Sequence, residues 1–425
     1  MSANRNYQKS KIGGLVLPTR QAISHPSSLK NEINFYPSAS QASFSAGSYF
    51  TIDIKQKIQE IYNISLLFTV GDITTGLTFN AQGNPAEKEK ASYHPSFFFF
   101  SRVEVVISNQ IVDTLYAVNQ FIATQILNTD EHRISINNQA GAYNNELSRI
   151  YKSNRTSEYI CKLFTFVDIN KFFIGSNSQE IQLRVYMNSI ENIWYSPKKE
   201  NGQPYWTGTP NPTLQCSAIV ESVNLTKSPL GQQKLAELYK TPNHQIFSQL
   251  RYGLYSVPAY TRSQRIVLTS ITGSISALMF VVRGGDISEG NYDTTPWHFA
   301  AIKNFEILDQ SSSNIIGGQP VSHTVSKKLL EKWTLGTYVE EYQGGGSYRT
   351  DENNYANVYL WCFSQSPIDS LTKGRPMGSH KFTGNESLVL NFTDETQPSS
   401  WTVDVFAYSE SILETAANGL NIISL

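Results

Sequence analysis

Charged side chains are scarce in this sequence. Asp, Glu, Lys and Arg make up 16% of its 425 residues, and 35 acidic residues balance 34 basic ones. A dedicated nucleic-acid-binding protein usually carries a strong basic excess, which this chain lacks. Few charges combined with much Asn, Ser, Thr and Tyr favour a surface that meets other protein surfaces.

Cysteine is scarcer, with three residues at Cys161, Cys216 and Cys362. The odd count and the spacing argue against a disulfide framework or a zinc site, and we expect three buried, reduced thiols. The longest apolar stretch, ISALMFVV, is far shorter than the roughly 20 residues that span a bilayer. The polar opening MSANRNYQKSK does not resemble a signal peptide. These features predict a soluble protein made in a reducing compartment.

Recognisable catalytic patterns are also missing. The sequence has no G-x-S-x-G elbow and no phosphate-binding loop, and its seven histidines are scattered. The acidic residues Glu340, Glu341, Asp351 and Glu352 share one polar segment, which a solvated loop explains better than a catalytic pair. We therefore predict no catalytic residue, no metal, no cofactor and no enzymatic activity.

The dominant pattern is that of β-strands. Short segments such as NISLLFTV, EIQLRVYM and WTVDVFAYS are rich in β-branched and aromatic residues, and turn residues separate them. In the last segment, Val403 and Val405 alternate with Thr402 and Asp404, which predicts a strand with one buried face. The run FFFF at 97–100 is also expected to be a buried strand. Helices are predicted only at 115–128, 229–240 and 326–333.

The strands form two series that resemble each other. ISLLFTVGDI begins at Ile64 and ISALMFVVRGGDI begins at Ile275, and VEVVI resembles FEILD about 200 residues later. A helix candidate follows each member of that second pair, and EIQLRV resembles ESLVLNF at a similar offset. Three matches in the same order favour an internal duplication.

Long connections between short strands favour Greek-key or jelly-roll sandwiches over an up-and-down barrel. We therefore predict an all-β protein with two tandem sandwiches and a few short helices. The expected units are an N-terminal arm at 1–32, a first sandwich at 33–227, a helical linker at 228–241 and a second sandwich at 242–425. Polar loops at 71–96, 188–215, 284–297 and 334–355 are long enough to suggest contact-making roles.

The arm and the loops hold the candidate contact residues. The arm carries Arg5, Lys9, Lys11 and Arg20 with no acid before Glu32, so it could touch nucleic acid or an anionic membrane, or bind neighbouring subunits. Trp194, Trp206 and Trp297 fall in predicted loops, where they could anchor a protein interface or line a carbohydrate site. Trp361 and Trp401 fall in strand patterns and are expected to fill the core.

One family resemblance emerges near the C-terminus. The stretch VYLWCFSQSPIDSLTKGRPMGSHKFTGNESLVLNF resembles the second jelly roll of double jelly-roll major capsid proteins, the lineage of adenovirus, membrane-containing phages and large nucleocytoplasmic DNA viruses. Pro376, Gly378, Ser379 and Phe382 match that family's strand connection, while its usual Glu-Glu-His run is replaced by IDSLTKGR. The closing segment VFAYSESILETAANGLNIISL is similar to the family's last strand and tail.

This resemblance implies a fold of two eight-stranded jelly rolls and a role as a structural protein of a virion. It implies hexon-like homotrimers that form pseudo-hexagonal capsomers of an icosahedral shell. The implied partners are neighbouring capsomers, minor capsid and penton proteins, and an internal membrane or genome reached through the N-terminal arm. The implied location is the capsid, after synthesis in the host cytoplasm. The four motif residues are expected to turn the chain sharply and pin the connection onto the sandwich.

Two other classes stay open at this point. A carbohydrate-binding or carbohydrate-active β-sandwich predicts a monomer or small oligomer with loop tryptophans gathered over one concave face. A viral spike or fibre protein predicts an elongated trimer with a single head domain.

Overall fold

The structure, a computed structural model, describes most of the chain. The described residues are 10–12, 15–17, 31–54, 60–142, 146–165, 181–223, 229, 232–233, 236, 243–283, 299–335, 357–367, 371, 378–392, 400–416 and 419–424. In the predicted N-terminal arm, β1 (Ser10–Ile12) and β2 (Leu15–Leu17) pair as a short antiparallel hairpin.

The first sandwich extends from β3 to β14. Its strands are β3 (Asn31–Pro37), β4 (Tyr49–Ile54), β5 (Glu60–Val70), β6 (Leu77–Phe79), β7 (Ser92–Tyr93), β8 (Phe100–Ile107), β9 (Gln110–Tyr116), β10 (Ser157–Leu163), β11 (Ile181–Met187), β12 (Trp194–Tyr195), β13 (Trp206–Gly208) and β14 (Leu214–Val223). Two antiparallel sheets face each other: sheet 1 has the order β10-β5-β14-β3, and sheet 2 has the order β4-β11-β8-β9. Every second residue of β11 is buried, as expected for a strand with one face on a core.

The second sandwich extends from β15 to β24. Its strands are β15 (Asn243–Val257), β16 (Ser263–Val267), β17 (Thr272–Arg283), β18 (Asn304–Leu308), β19 (Val321–Ser322), β20 (Tyr359–Cys362), β21 (His380–Thr383), β22 (Ser387–Asn391), β23 (Trp401–Ala416) and β24 (Gly419–Ser424). Sheet 3 has the order β15-β23-β17-β20, with β21 also on β17 and β24 on β23. Sheet 4 has the order β16-β22-β18-β19.

The two sandwiches have the same topology. The eight main strands of each jelly roll are those in the four-strand orders given above, which leave out β6, β7, β12, β13, β21 and β24. When these eight strands are numbered in chain order, sheets 1 and 3 both have the order 1-8-3-6, and sheets 2 and 4 both have the order 2-7-4-5. This connectivity is that of a jelly roll, with Greek-key crossings between two sheets. The predicted fold class, two tandem eight-stranded jelly rolls with a few short helices, is confirmed. The three repeated sequence pairs fall on equivalent strands: β5 with β17, β8 with β18, and β11 with β22.

A β-bulge explains why the sequence offset between equivalent residues of β5 and β17 changes by one along the strands. The register between β17 and β23 shifts between Ile275 and Ala277, so Ser276 is an extra residue. Beyond it, the core-facing residues Phe68 and Val70 correspond to Phe280 and Val282. An alignment without the bulge would place them one residue out of step, on opposite faces of the sheet.

Four α-helices occur in the described residues: α1 (Ala117–Ile126), α2 (Asp130–Ala140), α3 (Glu146–Ser153) and α4 (His323–Trp333). Helices α1 and α4 were predicted, and each directly follows the fifth main strand of its jelly roll. The predicted helix at 229–240 lies largely outside the described residues. Helices α2 and α3 were not predicted, because α2 is polar along most of its length and α3 is short.

Two long connections of the first jelly roll pair with each other. Residues 71–96 contain β6 and β7, residues 188–215 contain β12 and β13, and the pairs β13–β6 and β12–β7 are antiparallel. The predicted loops at 284–297 and, except for its first two residues, 334–355 lie outside the described part. The run FFFF was wrong as a continuous strand: Phe97 and Phe98 belong to the 3-10 helix Ser96–Phe98, and only Phe100 begins β8, although all four are buried.

Candidate assembly surfaces

The described residues offer little for bond-making chemistry. None of them gather into a group of three or more His, Cys, Asp or Glu able to hold a metal. Cys161, Cys216 and Cys362 are free and buried, and burial raises the pKa of each thiol. A thiol with a raised pKa is a poor nucleophile at neutral pH. No helix in the same residues is long and apolar enough to cross a bilayer.

The two jelly rolls contact each other through one face of sheet 3. In β17, Leu278, Phe280 and Val282 point into the core of the second jelly roll. Their neighbours Ala277, Met279 and Val281 point to the other face and join a cluster that includes the first jelly roll's core. Sheet 3 is therefore buried on both faces. The alternating pattern of β23 predicted a strand with one buried face, and that prediction was wrong.

Helix α1 and strand β9 of the first jelly roll cover that outer face of sheet 3. Asn119 donates from Nδ2 to the Tyr408 hydroxyl at 3.2 Å, and both side chains are buried. The rings of Tyr116 and Tyr252 stack with their centroids 4.0 Å apart. Across the same contact, Gln249 donates from Nε2 to the carbonyl of Val112 at 3.2 Å. Aromatic packing and hydrogen bonds between side chains therefore occur together in this contact, as they do in a protein interior.

An ion pair between the buried Asp404 and Arg283, whose side chain is 20% exposed, lies beside the stacked tyrosines. Arg283 Nη2 donates to Asp404 Oδ1 at 2.9 Å, and Tyr252 Oη donates to the same oxygen at 2.7 Å. Burial and the neighbouring Asp404 carboxylate raise the pKa of Tyr252, so its hydroxyl keeps its proton and acts as a donor. Removing one partner of such a buried pair typically costs about 3–5 kcal/mol.

Glu410, further along β23, is a second buried acid. It lies opposite Ser248 of β15, and its Oε1 atom has no hydrogen-bond partner within the described parts of the chain. Burial raises the pKa of Glu410 to about 7. The carboxyl group therefore titrates close to neutral pH, which sequence reasoning did not anticipate.

The outer face of sheet 1 differs from that of sheet 3. On the edge strand β3, Ile33 is 62% exposed and Phe35 is 60% exposed. Phe35 pairs with the half-buried Ile219 of β14. Two residues further along the strand direction, the half-buried Leu67 of β5 pairs with the half-buried Ile160 of β10. We call these five residues the sheet 1 patch. Large apolar patches on a protein surface commonly mark sites of protein contact.

The outer face of sheet 2 is polar by comparison. Arg102 pairs with Glu104 at 3.2 Å and lies over the ring of Tyr186, whose hydroxyl donates to Glu104 at 3.1 Å. Gln182 donates to Asp53 at 2.8 Å on the same face. Both outer faces also hold residues of the other kind: Tyr49 on sheet 2 is 53% exposed, and Asn63 on sheet 1 donates to Glu221 at 3.1 Å.

The predicted turn motif lies between β20 and β22. Gly378 has φ of 120°, a conformation that residues with a side chain rarely adopt. Phe382 is buried in the core of the second jelly roll, with its ring 5.6 Å from Phe363, and β21 carries it onto β17. Ser379 is exposed just before β21, and Pro376 lies outside the described residues.

Glu386 organises the turn that follows Phe382, and this structural role was not predicted from the sequence. Its carboxylate accepts backbone N–H bonds from Thr383 at 2.9 Å and Gly384 at 3.0 Å, and a bond from the Thr383 hydroxyl at 3.1 Å. The side chain is buried. A sequence signal was available: an acidic residue follows a glycine by two positions just before a strand begins. This spacing allows the carboxylate to accept hydrogen bonds from the backbone N–H groups of a tight turn.

The predicted interface tryptophans are placed differently from one another. Trp194 lies half-buried in β12, opposite Tyr93 of β7. Trp206 is only 8% exposed, donates from Nε1 to the carbonyl of Glu89 at 2.7 Å, and packs against Phe79. Trp206 thus joins two loops of its own chain and leaves little surface for a neighbour. Trp297 lies outside the described residues.

The remaining predicted residues belong to the arm. Lys11 lies in β1, and Arg5, Lys9 and Arg20 fall outside the described residues. Of the two tryptophans expected in the core, Trp361 is half-buried against Trp333, and Trp401 is half-buried against Phe392.

Two jelly rolls in tandem, packed through sheet 3, define a double jelly-roll protein. Among solved structures, PBCV-1 VP54, fitted into a cryo-EM reconstruction of the virophage Sputnik, matches with a TM-score of 0.62 and 14% identity, over 94% of this chain and 98% of that one. The Faustovirus major capsid protein matches with a TM-score of 0.59 and 7% identity, over 95% of this chain and 92% of that one. The mavirus major capsid protein matches with a TM-score of 0.52 and 11% identity, over 100% and 95%. These likenesses show the fold.

No protein-family model matches the chain, and no curated protein sequence matches it.

Proposed function

We propose that this protein is a major capsid protein, and that three copies form a pseudo-hexagonal capsomer of an icosahedral virus shell. The observation that carries the proposal is the pair of jelly rolls with identical strand order, packed together in one chain. Three copies of such a pair supply six similar units, so a three-fold assembly can fill a hexagonal position. Solved capsid proteins with the same fold over nearly the whole chain support this role.

The finer parts of the proposal concern partners and location. We propose neighbouring capsomers, minor capsid proteins and penton proteins as partners, and the virion as the location after synthesis in the host cytoplasm. The arm, with Arg5, Lys9, Lys11 and Arg20, is proposed to contact the interior side of the shell. Affinity would come from large repeated interfaces, so no catalytic residue is proposed.

The domain division and the loop roles are proposals of the same kind. The division is an arm at 1–32, a first jelly roll at 33–227, a linker at 228–241 and a second jelly roll at 242–425. The loops that hold Trp194, Trp206 and Trp297 are proposed to contact other subunits, with Trp206 supporting its loop from within. The buried position of Trp206 disfavours the carbohydrate-binding alternative, because a sugar platform needs exposed aromatic faces.

The mass of the purified full-length chain in solution tests this function. Light scattering during size-exclusion chromatography is expected to give three times the 47.7 kDa of one chain across a range of protein concentrations. A stable monomer that binds immobilised glycans would instead support the carbohydrate-binding class and reject the capsid function.

A further inference from the structure

The helix after the fifth main strand begins differently in the two jelly rolls. In the first, α1 starts at Ala117, whose side chain cannot titrate. In the second, α4 starts at His323, directly after β19. The backbone N–H of His323 donates to the carbonyl of Lys303 at 3.0 Å, and the N-cap residue Ser322 accepts from the N–H of Val325 at 3.3 Å. The first turn of α4 is therefore tied to the chain just before β18.

The imidazole ring of His323 is bonded to a buried tyrosine. Tyr359 of β20 is 1% exposed, and its ring stacks on Phe280 with the centroids 5.1 Å apart. The Tyr359 hydroxyl accepts a hydrogen bond from the backbone N–H of Ile302 at 2.8 Å, and its oxygen lies 2.8 Å from Nδ1 of His323. A core residue of the second jelly roll thus contacts the first residue of α4.

The protons in this chain of hydrogen bonds follow from its donors and acceptors. A tyrosine hydroxyl has one proton to donate, and burial raises the pKa of Tyr359, so the proton stays on the oxygen. Because the Ile302 N–H is itself a donor, the hydroxyl proton is donated to Nδ1 of His323. The imidazole is therefore neutral, with its own proton on Nε2.

A second proton on the ring would break this bond. Protonated imidazole has N–H groups at both nitrogens and accepts no hydrogen bond. Nδ1 of His323 would then direct a proton at the Tyr359 oxygen, and the buried hydroxyl would lose the acceptor that it has here. A buried donor without an acceptor destabilises the folded state. The hydrogen bond therefore requires the neutral ring.

The surroundings also disfavour a charged ring. Burial lowers the pKa of His323 below its ordinary value of 6.5, and the ammonium group of Lys327, one turn along α4, lowers it further. The N-terminal end of a helix carries a partial positive charge, which opposes another cation at that place. These influences all favour the form of the ring that accepts from Tyr359.

Other titratable residues lie on the elements near the start of α4: Tyr359 and Cys362 on β20, Lys303 just before β18, and Glu306 on β18. Burial raises the pKa of the tyrosine and of the cysteine, so both stay uncharged. The lysine is exposed, and the glutamate accepts a hydrogen bond from Asn314 at 3.5 Å. Within the described residues, the charged group that shifts the pKa of His323 is Lys327.

We propose that the hydrogen bond between His323 and Tyr359 is an acid-sensitive latch that holds the start of α4 on the second jelly roll. Above about pH 6.5 the ring is neutral in the folded and the unfolded chain, and the latch is closed. Below that value the unfolded chain takes up the proton more readily, so the stabilisation is lost as the pH falls. Since Ala117 occupies the equivalent place in the first jelly roll, acid should loosen the second jelly roll alone at this position. The latch belongs to a single chain and does not depend on the proposed function.

Thermal melts of the full-length protein and of His323→Asn at pH 8 and pH 5 test the latch. The Oδ1 atom of asparagine can accept from Tyr359 as Nδ1 does, but asparagine does not titrate. The two proteins are expected to melt at similar temperatures at pH 8, and the variant is expected to melt several degrees higher at pH 5. The control is His132→Asn on the exposed surface of α2, which is expected to shift the melting temperature equally at both pH values. Glu410 is present in all three proteins, so its own titration cancels in these comparisons.

A second pair of variants isolates the role of the tyrosine. In a Tyr359→Phe background, which removes the hydroxyl, the pH-dependent difference between histidine and asparagine at position 323 is expected to shrink. A difference that persists in full would contradict the latch, because the ring would then respond to acid without Tyr359. The latch is also overturned if His323→Asn keeps the pH dependence of the unmodified protein. An equal loss of stability at both pH values overturns it as well, because the histidine would then act only through packing.

Hydrogen exchange of the unmodified protein decides the matter if the variants do not fold. After correction for the intrinsic pH dependence of exchange, peptides that cover β19 and the first two turns of α4 are expected to be less protected at pH 5 than at pH 8. Peptides from the start of α1 are expected to keep their protection. Equal protection of the start of α4 at both pH values would contradict the proposed latch.

Discussion

Single residues show how context overrides a local sequence pattern. Asp404 alternates with Val403 and Val405, which suggests a polar, solvent-facing position, yet it is buried against Arg283 and Tyr252. The alternation of residues in β23 correctly showed that successive side chains point to opposite faces of the sheet. It did not show what packs against the face that holds Asp404. Nothing local to β23 could predict that the first jelly roll packs there, because its contacting residues are remote in the chain: Asn119 lies 289 positions before Tyr408.

Glu410 leads to a prediction about pH. Its pKa in the native protein is raised to about 7 by burial, above the ordinary value of 4.5 that applies once the chain unfolds. Between these two values the native state binds more protons than the unfolded state, so the contribution of Glu410 to stability decreases as the pH rises through this window. Glu410→Gln, which mimics the protonated acid, is expected to raise the melting temperature at pH 8 and to change it little at pH 5.

Thermal melts of the two proteins at several pH values measure this effect. The control is Glu131→Gln on the exposed surface of α2, which is expected to shift the melting temperature similarly at both pH values. A Glu410→Gln variant that is destabilised equally at pH 5 and pH 8 would show that the carboxylate makes a favourable contact instead.

At the scale of elements, most strands were predictable and most departures have a physical cause. Alternating and continuous apolar patterns located strands such as β5, β11, β17 and β23, and the order of three sequence pairs located the repeat. The strands β3, β9, β15 and β19, which lie at sheet edges, were not predicted. The continuous apolar run of β17 indicates burial on both faces, because a strand with one solvent-exposed face shows alternating polar and apolar residues. The bulge at Ser276, the polar helix α2 and the 3-10 turn in FFFF depend on tertiary contacts, so the sequence alone did not reveal them.

Because β17 is buried on both faces, alanine substitutions at equivalent positions of β17 and β5 are expected to lower the free energy of unfolding by different amounts. Met279→Ala removes a side chain buried between the jelly rolls and is expected to cost about 2–5 kcal/mol of unfolding free energy. Leu67→Ala changes the counterpart on β5, which is half-buried within one chain, and is expected to cost about 1 kcal/mol or less.

Urea unfolding of the unmodified protein and of both variants measures the two costs. Phe280→Ala, which faces the core of the second jelly roll alone, serves as the reference for a fully buried position. Equal losses for Met279→Ala and Leu67→Ala would contradict the asymmetry between sheets 1 and 3.

The whole molecule is best understood as one repeated unit used twice. Each jelly roll has a sheet with an apolar outer face and a helix that directly follows its fifth main strand. Within the chain, one helix and one sheet are joined, which leaves one open sheet face and one open helix. This repetition within one chain is the feature that connects the fold to the proposed role in a virus shell.

Cryo-electron microscopy of the purified protein tests that central claim most directly. We expect class averages of a flat particle with three-fold symmetry, a six-cornered outline and six jelly rolls of similar size around a ring. An elongated particle with a single head, or isolated chains with two lobes at any concentration, would contradict it.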